Sequence, residues 1–319
     1  MKILIYGGGA VGLGVASCLI KSGQEVDVIA RDHTASLLSG EGLTREGIFG
    51  THHAGPGTFR ACLSLDDLPG GAYDFVIVST KAHDSEEAAR DLSSHPRLLG
   101  ASGNIVLFQN GWGGAQLFTA FFPAERVFNA RVITGFIRPR KNRVVVTVHA
   151  DAIRIGSLFA DVPSGLDAFC EAMSAGGIPC SVAPSVGRDL WAKMLYNCAL
   201  NALGAIFEVP YGVLGEFPHT REVMGRVVEE VFLVMQRTGN ETHWDSATDY
   251  LDAFYGTLLP PTAEHESSML QDIREGKKTE IDFLNGAVVS LGRDAGVDTP
   301  VNLVLWDMVK FLEARSASR

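Results

Sequence analysis

Short apolar runs alternate with helical patterns through the first half of the chain. The runs are residues 3–6, 25–30, 75–79 and 104–108. Helical patterns at 11–21 and 85–93 stand between them. Strands that are apolar at consecutive positions are typical of a parallel sheet covered by helices on both faces. The runs at 127–137, 144–149 and 152–155 are more typical of hairpin strands. The pattern therefore predicts an α/β domain.

The second half has a different period. From Arg188 onward the apolar positions recur at helical spacing, with almost no β pattern. Helices are predicted at 190–207, 220–237, 247–255, 265–274, 279–295 and 301–314. The change of period falls near Pro184, which predicts an α/β domain at 1–184 and an all-α domain at 185–319. The amphipathic helix 220–237 packs either inside its own domain or against a second copy, so a homodimer stays open.

Composition excludes several classes of protein. The 319 residues are 46% hydrophobic and 20% charged, as in globular proteins, with a net charge of −10. The sequence contains no cluster of five or more Lys and Arg, so no nucleic-acid partner is expected. Glycines interrupt the apolar stretch 3–20, which argues against a signal peptide, and no membrane span is expected. Five scattered cysteines predict reduced thiols and a cytoplasmic protein without a metal site.

The strongest motif directly follows the first predicted strand and opens the first predicted helix. It consists of Gly7, Gly8, Gly9, Ala10, Val11 and Gly12. In this GxGxxG pattern Gly7 allows a tight turn, Gly9 lets a pyrophosphate approach the backbone, and Gly12 lets the helix pack closely on the strand. Unpaired N–H groups at the helix N-terminus then face the phosphates. The motif predicts a Rossmann dinucleotide-binding domain.

The second predicted strand carries the choice between NADP and NAD. It runs into Arg31, whose guanidinium suits a 2′-phosphate. Asp32 follows at once, and it would favour NAD if it were the residue that faces the ribose. The sequence favours NADP.

Polar side chains follow two predicted strands, at the edge of the sheet where ligands bind. Lys81 comes after the run 75–79 and Asn110 after the run 104–108. Lys81 is a candidate contact for phosphate or substrate, and Asn110 for the nicotinamide ribose or a substrate oxygen. A solvated lysine and a turn-forming Asn-Gly pair are the alternatives.

The long helix predicted at 190–207 carries one narrow polar line. Lys193, Asn197 and Asn201 recur at every fourth position, within about 80° of the helix circumference. A solvent face would be broader and richer in charge. Buried polar groups need partners, and a bound polar ligand is one such partner. The line therefore predicts a site for a polar ligand.

The chain resembles the ketopantoate reductase (2-dehydropantoate 2-reductase) family over nearly its whole length. The resemblance rests on blocks at 7–12, 80–82, 109–111, 193–201, 267–274 and 279–286. It implies a Rossmann domain followed by an all-α domain like that of 6-phosphogluconate dehydrogenase. It also implies that NADPH reduces 2-dehydropantoate to pantoate, in pantothenate biosynthesis, by hydride transfer to the C2 carbonyl.

The family's roles carry over position by position. Lys193 matches the proton-donating lysine, and Glu280 matches an acidic residue that holds this lysine near the nicotinamide. Matches to substrate-binding positions are Asn110, Lys193, Asn197, Asn201 and Ser268. Matches to cofactor-binding positions are the glycine motif, Arg31, Lys81, Asn110 and Glu280.

One position departs from the family. Well-studied members have Pro-Asn-Gly where this chain has Pro210-Tyr211-Gly212, and that asparagine helps to bind the substrate. Tyr211 either bridges to the same substrate hydroxyl or reshapes the pocket for another 2-oxo acid, so reduction of a different 2-oxo acid is the alternative activity. A non-catalytic NADPH-binding regulator is an alternative from another class. It predicts loss of Lys193 and Glu280, and both are present.

Overall fold

The chain divides into two structural units. The structure, a computed structural model, describes residues 1–100, 102–160 and 165–317. The first unit comprises 1–109 and 114–186, and the second comprises 110–113 and 187–319. The short segment 110–113 thus belongs to the second unit although the chain on both sides of it belongs to the first. The assignment of NADP-binding and substrate-binding roles to 1–184 and 185–319 stays a prediction.

The first unit is an α/β structure. Its strands are β1 (Lys2–Tyr6), β2 (Glu25–Ile29), β3 (Leu43–Gly47), β4 (His52–Ala54), β5 (Arg60–Cys62), β6 (Phe75–Val78), β7 (Asn104–Leu107), β8 (Val127–Arg131), β9 (Thr134–Arg140), β10 (Arg143–His149), β11 (Ile153–Gly156) and β12 (Cys180–Val182). Its helices are α1 (Ala10–Lys21), α2 (Asp32–Glu41), α3 (Ser85–Ser94), α4 (Gly114–Thr119) and α5 (Leu166–Ala175).

Within the described residues, eight strands form the main sheet in the order β12-β11-β8-β7-β6-β1-β2-β5. Strand β1 pairs in parallel with β2 on one side and with β6 on the other. The apolar runs that predicted these strands are buried, with Ile3, Leu4 and Ile5 of β1 and Ile77 of β6 at 0% exposure. The prediction of a Rossmann-type parallel sheet is therefore confirmed.

The expectation of hairpins beyond residue 127 is only partly correct. Strands β9 and β10 form an antiparallel hairpin, which joins β3 and β4 in a separate four-stranded sheet. Strand β8 instead extends the main sheet, parallel to β7. Its neighbouring residues Val127 and Phe128, whose side chains point to opposite faces, are both buried, as expected for a strand covered on both sides.

The second unit, in its described residues, contains helices and no strand. They are α6 (Val186–Phe207), which begins at the last residue of the first unit, α7 (Tyr211–Glu216), α8 (Pro218–Thr238), α9 (Ala247–Ala253), α10 (Ser268–Arg274), α11 (Asn285–Ala295) and α12 (Pro300–Ala317). Helix α6 supplies Trp191, Leu195 and Leu200 to the core at 0% exposure. The apolar face of α8 packs into this same core, so it is covered within its own unit. No helix in the described ranges is long and apolar enough to span a membrane.

The predicted helix at 279–295 is interrupted near its start. A 3₁₀ turn spans Ile281–Phe283, and Leu284 leaves helical geometry with φ −109° and ψ −105° before α11 begins. Thr279 explains the irregular start. The backbone N–H and the hydroxyl of Thr279 both donate to the Glu313 carboxylate at 2.7 Å. The Thr279 hydroxyl oxygen accepts a hydrogen bond from Ile281 N at 3.2 Å. These side-chain bonds hold the segment that carries Glu280.

Candidate active site

The glycine turn between β1 and α1 is shaped by its own packing. Gly7 has φ +123°, and a Cβ there would lie 2.8 Å from Thr80 N. A Cβ on Gly12 would lie 2.1 Å from the Gly7 carbonyl oxygen, so only glycine fits. At Gly9 the nearest atom to a Cβ is the Ser79 carbonyl oxygen, 3.8 Å away, which is ordinary van der Waals contact. Packing thus accounts for Gly7 and Gly12, while Gly9 leaves an open approach to the backbone.

The turn also provides hydrogen-bond donors. Helix α1 begins at Ala10 with Gly9 as its N-cap, and its start has no side-chain cap within the described residues and no acidic residue in the first turn. Its first N–H groups and the positive end of its dipole therefore suit a pyrophosphate. This arrangement fits a dinucleotide, with Gly7 to Gly12 as the residues that would hold it.

Two side chains brace this turn, and the sequence did not single them out. The Ser79 hydroxyl donates to the Gly7 carbonyl at 2.9 Å, and Arg138 Nη1 donates to the Gly8 carbonyl at 2.5 Å. Arg138 comes from β9 in the second sheet, 130 residues away from Gly8. No local sequence pattern could have indicated this contact.

Arg31 and Asp32 occupy the start of α2, just after β2. Arg31 is its N-cap and Asp32 its first residue, and both side chains are exposed. Each is therefore accessible at the carboxyl end of β2, where the ribose of a dinucleotide lies in sheets of this type.

Lys81 is held in a short connection between β6 and α3. It is half-buried and precedes a 3₁₀ turn at Ala82–Asp84. The Gln109 amide donates to the carbonyl oxygens of Thr80 and Lys81, both at 3.2 Å, and accepts from the Ser85 hydroxyl at 3.0 Å. Gln109 thus joins the ends of β6 and β7.

The central feature of the second unit is a chain of lysine, amide and carboxylate. Lys193 Nζ donates to Asn110 Oδ1 at 2.5 Å, and Asn110 Nδ2 donates to Glu280 Oε2 at 2.9 Å. Glu280 is 6% exposed, whereas Lys193 and Asn110 are half-buried. Position in the sequence pattern predicted Lys193 and Asn110 as site residues, the family resemblance added Glu280, and the structure brings the three together in this order.

Trp112 fixes Asn110 in the second unit. Its backbone N–H donates to the Phe283 carbonyl at 2.8 Å, and its ring packs on Trp191 of α6 at 4.7 Å between centroids. Gly111, with φ +93°, allows the close approach, because a Cβ there would lie 2.4 Å from the Phe283 carbonyl oxygen. The signal in the sequence for this contact is the tryptophan that directly follows the Asn-Gly pair.

The polar line of α6 continues to a second cluster. Asn201, two turns beyond Lys193, is 5% exposed and accepts a hydrogen bond from the Tyr211 hydroxyl at 2.6 Å. Burial, and to a smaller extent Tyr196, raises the pKa of Tyr211, so its hydroxyl keeps the proton that it donates. Asn197 lies between the two on the same face and is half-buried.

Ser267 and Ser268 divide two roles at the start of α10. The buried Ser267 hydroxyl accepts from Leu270 N at 3.0 Å as the helix cap and donates to the Asn201 carbonyl at 3.3 Å. Ser268 is the first helical residue and is exposed. The bond from Ser267 to Asn201 therefore keeps Ser268 close to this part of α6. Ser268 was predicted as a site residue from the family resemblance, whereas Ser267 was not.

The parallel sheet, the glycine turn after its first strand and the helical second unit define a dinucleotide-binding protein of the Rossmann type. The chain belongs to the ketopantoate reductase PanE/ApbA family. The family model "Ketopantoate reductase PanE/ApbA" matches residues 3–158, and "Ketopantoate reductase PanE/ApbA C terminal" matches 185–313. The predicted family is thus confirmed.

Full-length relatives agree with this assignment. The chain is 37% identical to a 2-dehydropantoate 2-reductase of Aquifex aeolicus, covering 98% of this chain and 97% of the relative. It is 29% identical to one of Pyrococcus abyssi, covering 98% of each.

Solved structures share the fold. A PanE/ApbA family ketopantoate reductase from Ralstonia eutropha JMP134 is 28% identical with a TM-score of 0.86, covering 99% of this chain and 100% of the other. The ternary structure of D-mandelate dehydrogenase with NADH and anilino(oxo)acetate has the same TM-score and coverage at 22% identity, which shows the fold alone.

Proposed function

We propose that this protein is an NADPH-dependent 2-oxo acid reductase that converts 2-dehydropantoate to pantoate. The observation that carries the proposal is the chain from Lys193 through Asn110 to Glu280. It presents an ammonium group in the helical unit of a protein whose other unit has a dinucleotide-type glycine turn. Relatives named 2-dehydropantoate 2-reductase over their full length support this choice of substrate.

NADPH, when bound, supplies the hydride that reduces the C2 carbonyl. Lys193 stabilises the negative charge that grows on the carbonyl oxygen and then protonates it. Asn110 accepts from Lys193 and donates to Glu280, so the amide aligns the lysine with the buried carboxylate. Glu280 orients the lysine and balances its charge.

Other residues hold the two ligands. In this proposal residues 1–184 bind NADPH through the glycine turn, with Arg31 on the 2′-phosphate and Lys81 also on the cofactor, while Asn110 and Glu280 border its nicotinamide end. Residues 185–319 bind the substrate. Residues proposed to hold its polar groups are Asn110, Lys193, Asn197, Asn201 and Ser268.

The experiment is NADPH oxidation with 2-dehydropantoate, beside a panel of 2-oxo acids and an NADH control. The proposal is supported if kcat/KM for 2-dehydropantoate is about tenfold above that for every other acid in the panel. This ratio corresponds to about 1.4 kcal/mol of transition-state preference. If another acid leads, the reaction class survives and the substrate is wrong. If the protein binds NADPH but reduces no 2-oxo acid, the proposal is overturned and the protein is a non-catalytic regulator.

A different 2-oxo acid is the second candidate, and Tyr211 is the observation that favours it. Where well-studied family members have asparagine, this chain has a buried aromatic ring, packed against Tyr196 at 5.9 Å and His265 at 5.3 Å between centroids. The panel in the same assay distinguishes the two candidates directly.

We also propose a homodimer formed through α12. Val304, Met308 and Phe311 lie on one helix face and are 52%, 48% and 62% exposed. Antiparallel pairing of two copies about Phe311 brings Asp307 of one towards Arg315 of the other, so their charges are complementary. Light scattering should give twice the 34.2 kDa chain mass for the wild type, and the Phe311→Glu variant should be a monomer. A monomeric wild type at micromolar concentration contradicts this proposal.

A cytoplasmic location completes the proposal. The five cysteines are free thiols, which are typical of a reducing compartment. Cell fractionation tests this location. Recovery of the protein outside the cytoplasmic fraction would contradict it.

A further inference from the structure

We infer that Tyr211 is a positioning residue that fixes the amide of Asn201 so that its N–H groups face the substrate. There they can donate only to a hydrogen-bond acceptor, such as a carboxylate or carbonyl oxygen. This inference rests on the proposed function, because it assigns the substrate group that Asn201 binds. It differs from a direct contact between Tyr211 and the substrate, since Tyr211 acts through its neighbour.

The ring of Tyr211 has little freedom to move. The residue is 4% exposed, its ring packs edge-on to Tyr196, and its other ring neighbour is His265. Its backbone N–H donates to the His265 carbonyl at 3.0 Å, which also fixes the first residue of α7. The hydroxyl therefore stays where it meets Asn201.

The hydrogen bond determines which end of the amide faces outward. Tyr211 Oη donates to Asn201 Oδ1 at 2.6 Å, which leaves the two hydrogens of Nδ2 for another partner. A flipped amide would donate from Nδ2 to the phenol oxygen. In the described part of the chain the phenol hydroxyl donates to no acceptor other than Asn201 Oδ1, so the flip would leave its hydrogen unpaired in a buried site, which is unfavourable.

Asn201 is also held through its backbone. The buried Ser267 hydroxyl donates to the Asn201 carbonyl at 3.3 Å, and Ser267 itself caps α10. Both ends of Asn201 are thus anchored, the side chain by Tyr211 and the main chain by Ser267. An anchored amide donor binds an oxygen acceptor with little loss of conformational freedom.

The substrate chemistry fits this arrangement. At neutral pH the carboxylate and the carbonyl of a 2-oxo acid are acceptors and carry no donor. Asn201 with its N–H groups outward complements either, whereas an outward Oδ1 would face another acceptor and repel it. Tyr211 therefore selects acids with an acceptor at this point.

The test compares three variants with the best 2-oxo acid of the panel. Tyr211→Phe removes only the hydroxyl, and we expect KM for the acid to rise about 3- to 10-fold, with kcat and KM for NADPH within about twofold. Asn201→Asp keeps an acceptor for Tyr211 but replaces the outward donor with oxygen, and we expect KM to rise about 30-fold or more. Tyr196→Phe is the matched control, because this hydroxyl bonds to Thr262 instead.

Each other outcome overturns the inference. If Tyr211→Phe leaves KM unchanged, the Tyr211 hydroxyl does not position Asn201 for the substrate. If Tyr196→Phe raises KM equally, the effect comes from ring packing and not from the Tyr211 hydroxyl. If Asn201→Asp keeps the wild-type KM, the amide presents its oxygen. A wild type that reduces no 2-oxo acid refutes the proposed function and this inference with it. If the wild type reduces a 2-oxo acid and any of these variants gives the contrary result, the inference alone is refuted.

Discussion

The two units build their candidate sites in different ways. In the first, six consecutive residues from Gly7 to Gly12 shape a turn, and the groups that would face the pyrophosphate belong to the backbone. In the second, side chains from distant segments meet, and the hydrogen bond from Asn110 to Glu280 joins residues 170 positions apart. A backbone site depends on the absence of side chains, whereas a side-chain site depends on each partner that holds the others.

This difference predicts that single substitutions separate binding from chemistry. Replacing Lys193 should reduce turnover and leave dinucleotide affinity intact. A change in the glycine turn should do the reverse, or prevent folding where packing requires glycine.

The largest expected effect comes from the lysine. Lys193→Ala should lower kcat by about 10²- to 10⁴-fold, because the proton donor and the charge that stabilises the alkoxide are both lost. The Kd for NADPH, measured by fluorescence titration, should stay within about twofold. Lys278→Ala is the control, since Lys278 is exposed. Near-full turnover by Lys193→Ala would contradict the role of Lys193 as the proton donor.

The glycine turn offers a matched pair. Gly12→Ala should destabilise the first unit by about 1–3 kcal/mol or more, because its Cβ would meet the Gly7 carbonyl oxygen at 2.1 Å. Gly9→Ala should fold normally, since its nearest atom lies 3.8 Å away, but should weaken NADPH binding. Thermal unfolding and NADPH titration of both variants measure the two effects. Equal losses of stability would contradict the distinction between packing and ligand approach.

The same difference explains how much of the molecule the sequence could predict. The apolar runs of β1, β6 and β7 and the helical period after residue 188 follow from burial alone, and they predicted the α/β and helical parts. Lys193, Asn197 and Asn201 share a face of α6 because of local geometry, so their grouping was also predictable. The family resemblance added Glu280 and Ser268.

Contacts between distant segments were not predictable in this way. Arg138 reaches Gly8 from another sheet, and Trp112 packs on Trp191, although neither pair shares a local pattern. Tyr211 was noticed as a departure, but its bond to Asn201 depends on how α7 packs on α6. Such pairings are set by tertiary packing, which one sequence does not encode locally.

A moderate effect is expected at the exposed start of α2. Arg31→Ala should raise KM for NADPH about tenfold and leave KM for NADH nearly unchanged, since a charge-assisted bond to the 2′-phosphate is lost. Steady-state kinetics with both cofactors measures the ratio. Asp32→Asn is the matched control and should leave the NADPH preference intact. Equal changes for both cofactors after Arg31→Ala would refute the 2′-phosphate contact.

The smallest effects concern two histidines, one in each unit, whose pKa values shift in opposite directions. Burial lowers the pKa of His265 below its usual 6.5, with the nearby Glu266 opposing the shift. The unfolded chain therefore binds more protons just below pH 6.5, so wild-type stability falls as the pH drops through that range. His265→Gln should flatten this slope in urea unfolding curves measured at several pH values.

His95 should behave in the opposite way. The Asp91 carbonyl, and then the Asp66 carboxylate, raise the pKa of His95 above 6.5. The folded chain binds more protons just above pH 6.5, so this contribution is complete below that pH and is lost as the pH rises through the folded pKa. His95→Gln should therefore cost stability at pH 6 and little at pH 8, whereas His265→Gln changes the slope only on the acidic side. Identical pH profiles for the two variants would show that these two environments do not differ in the way their contacts indicate.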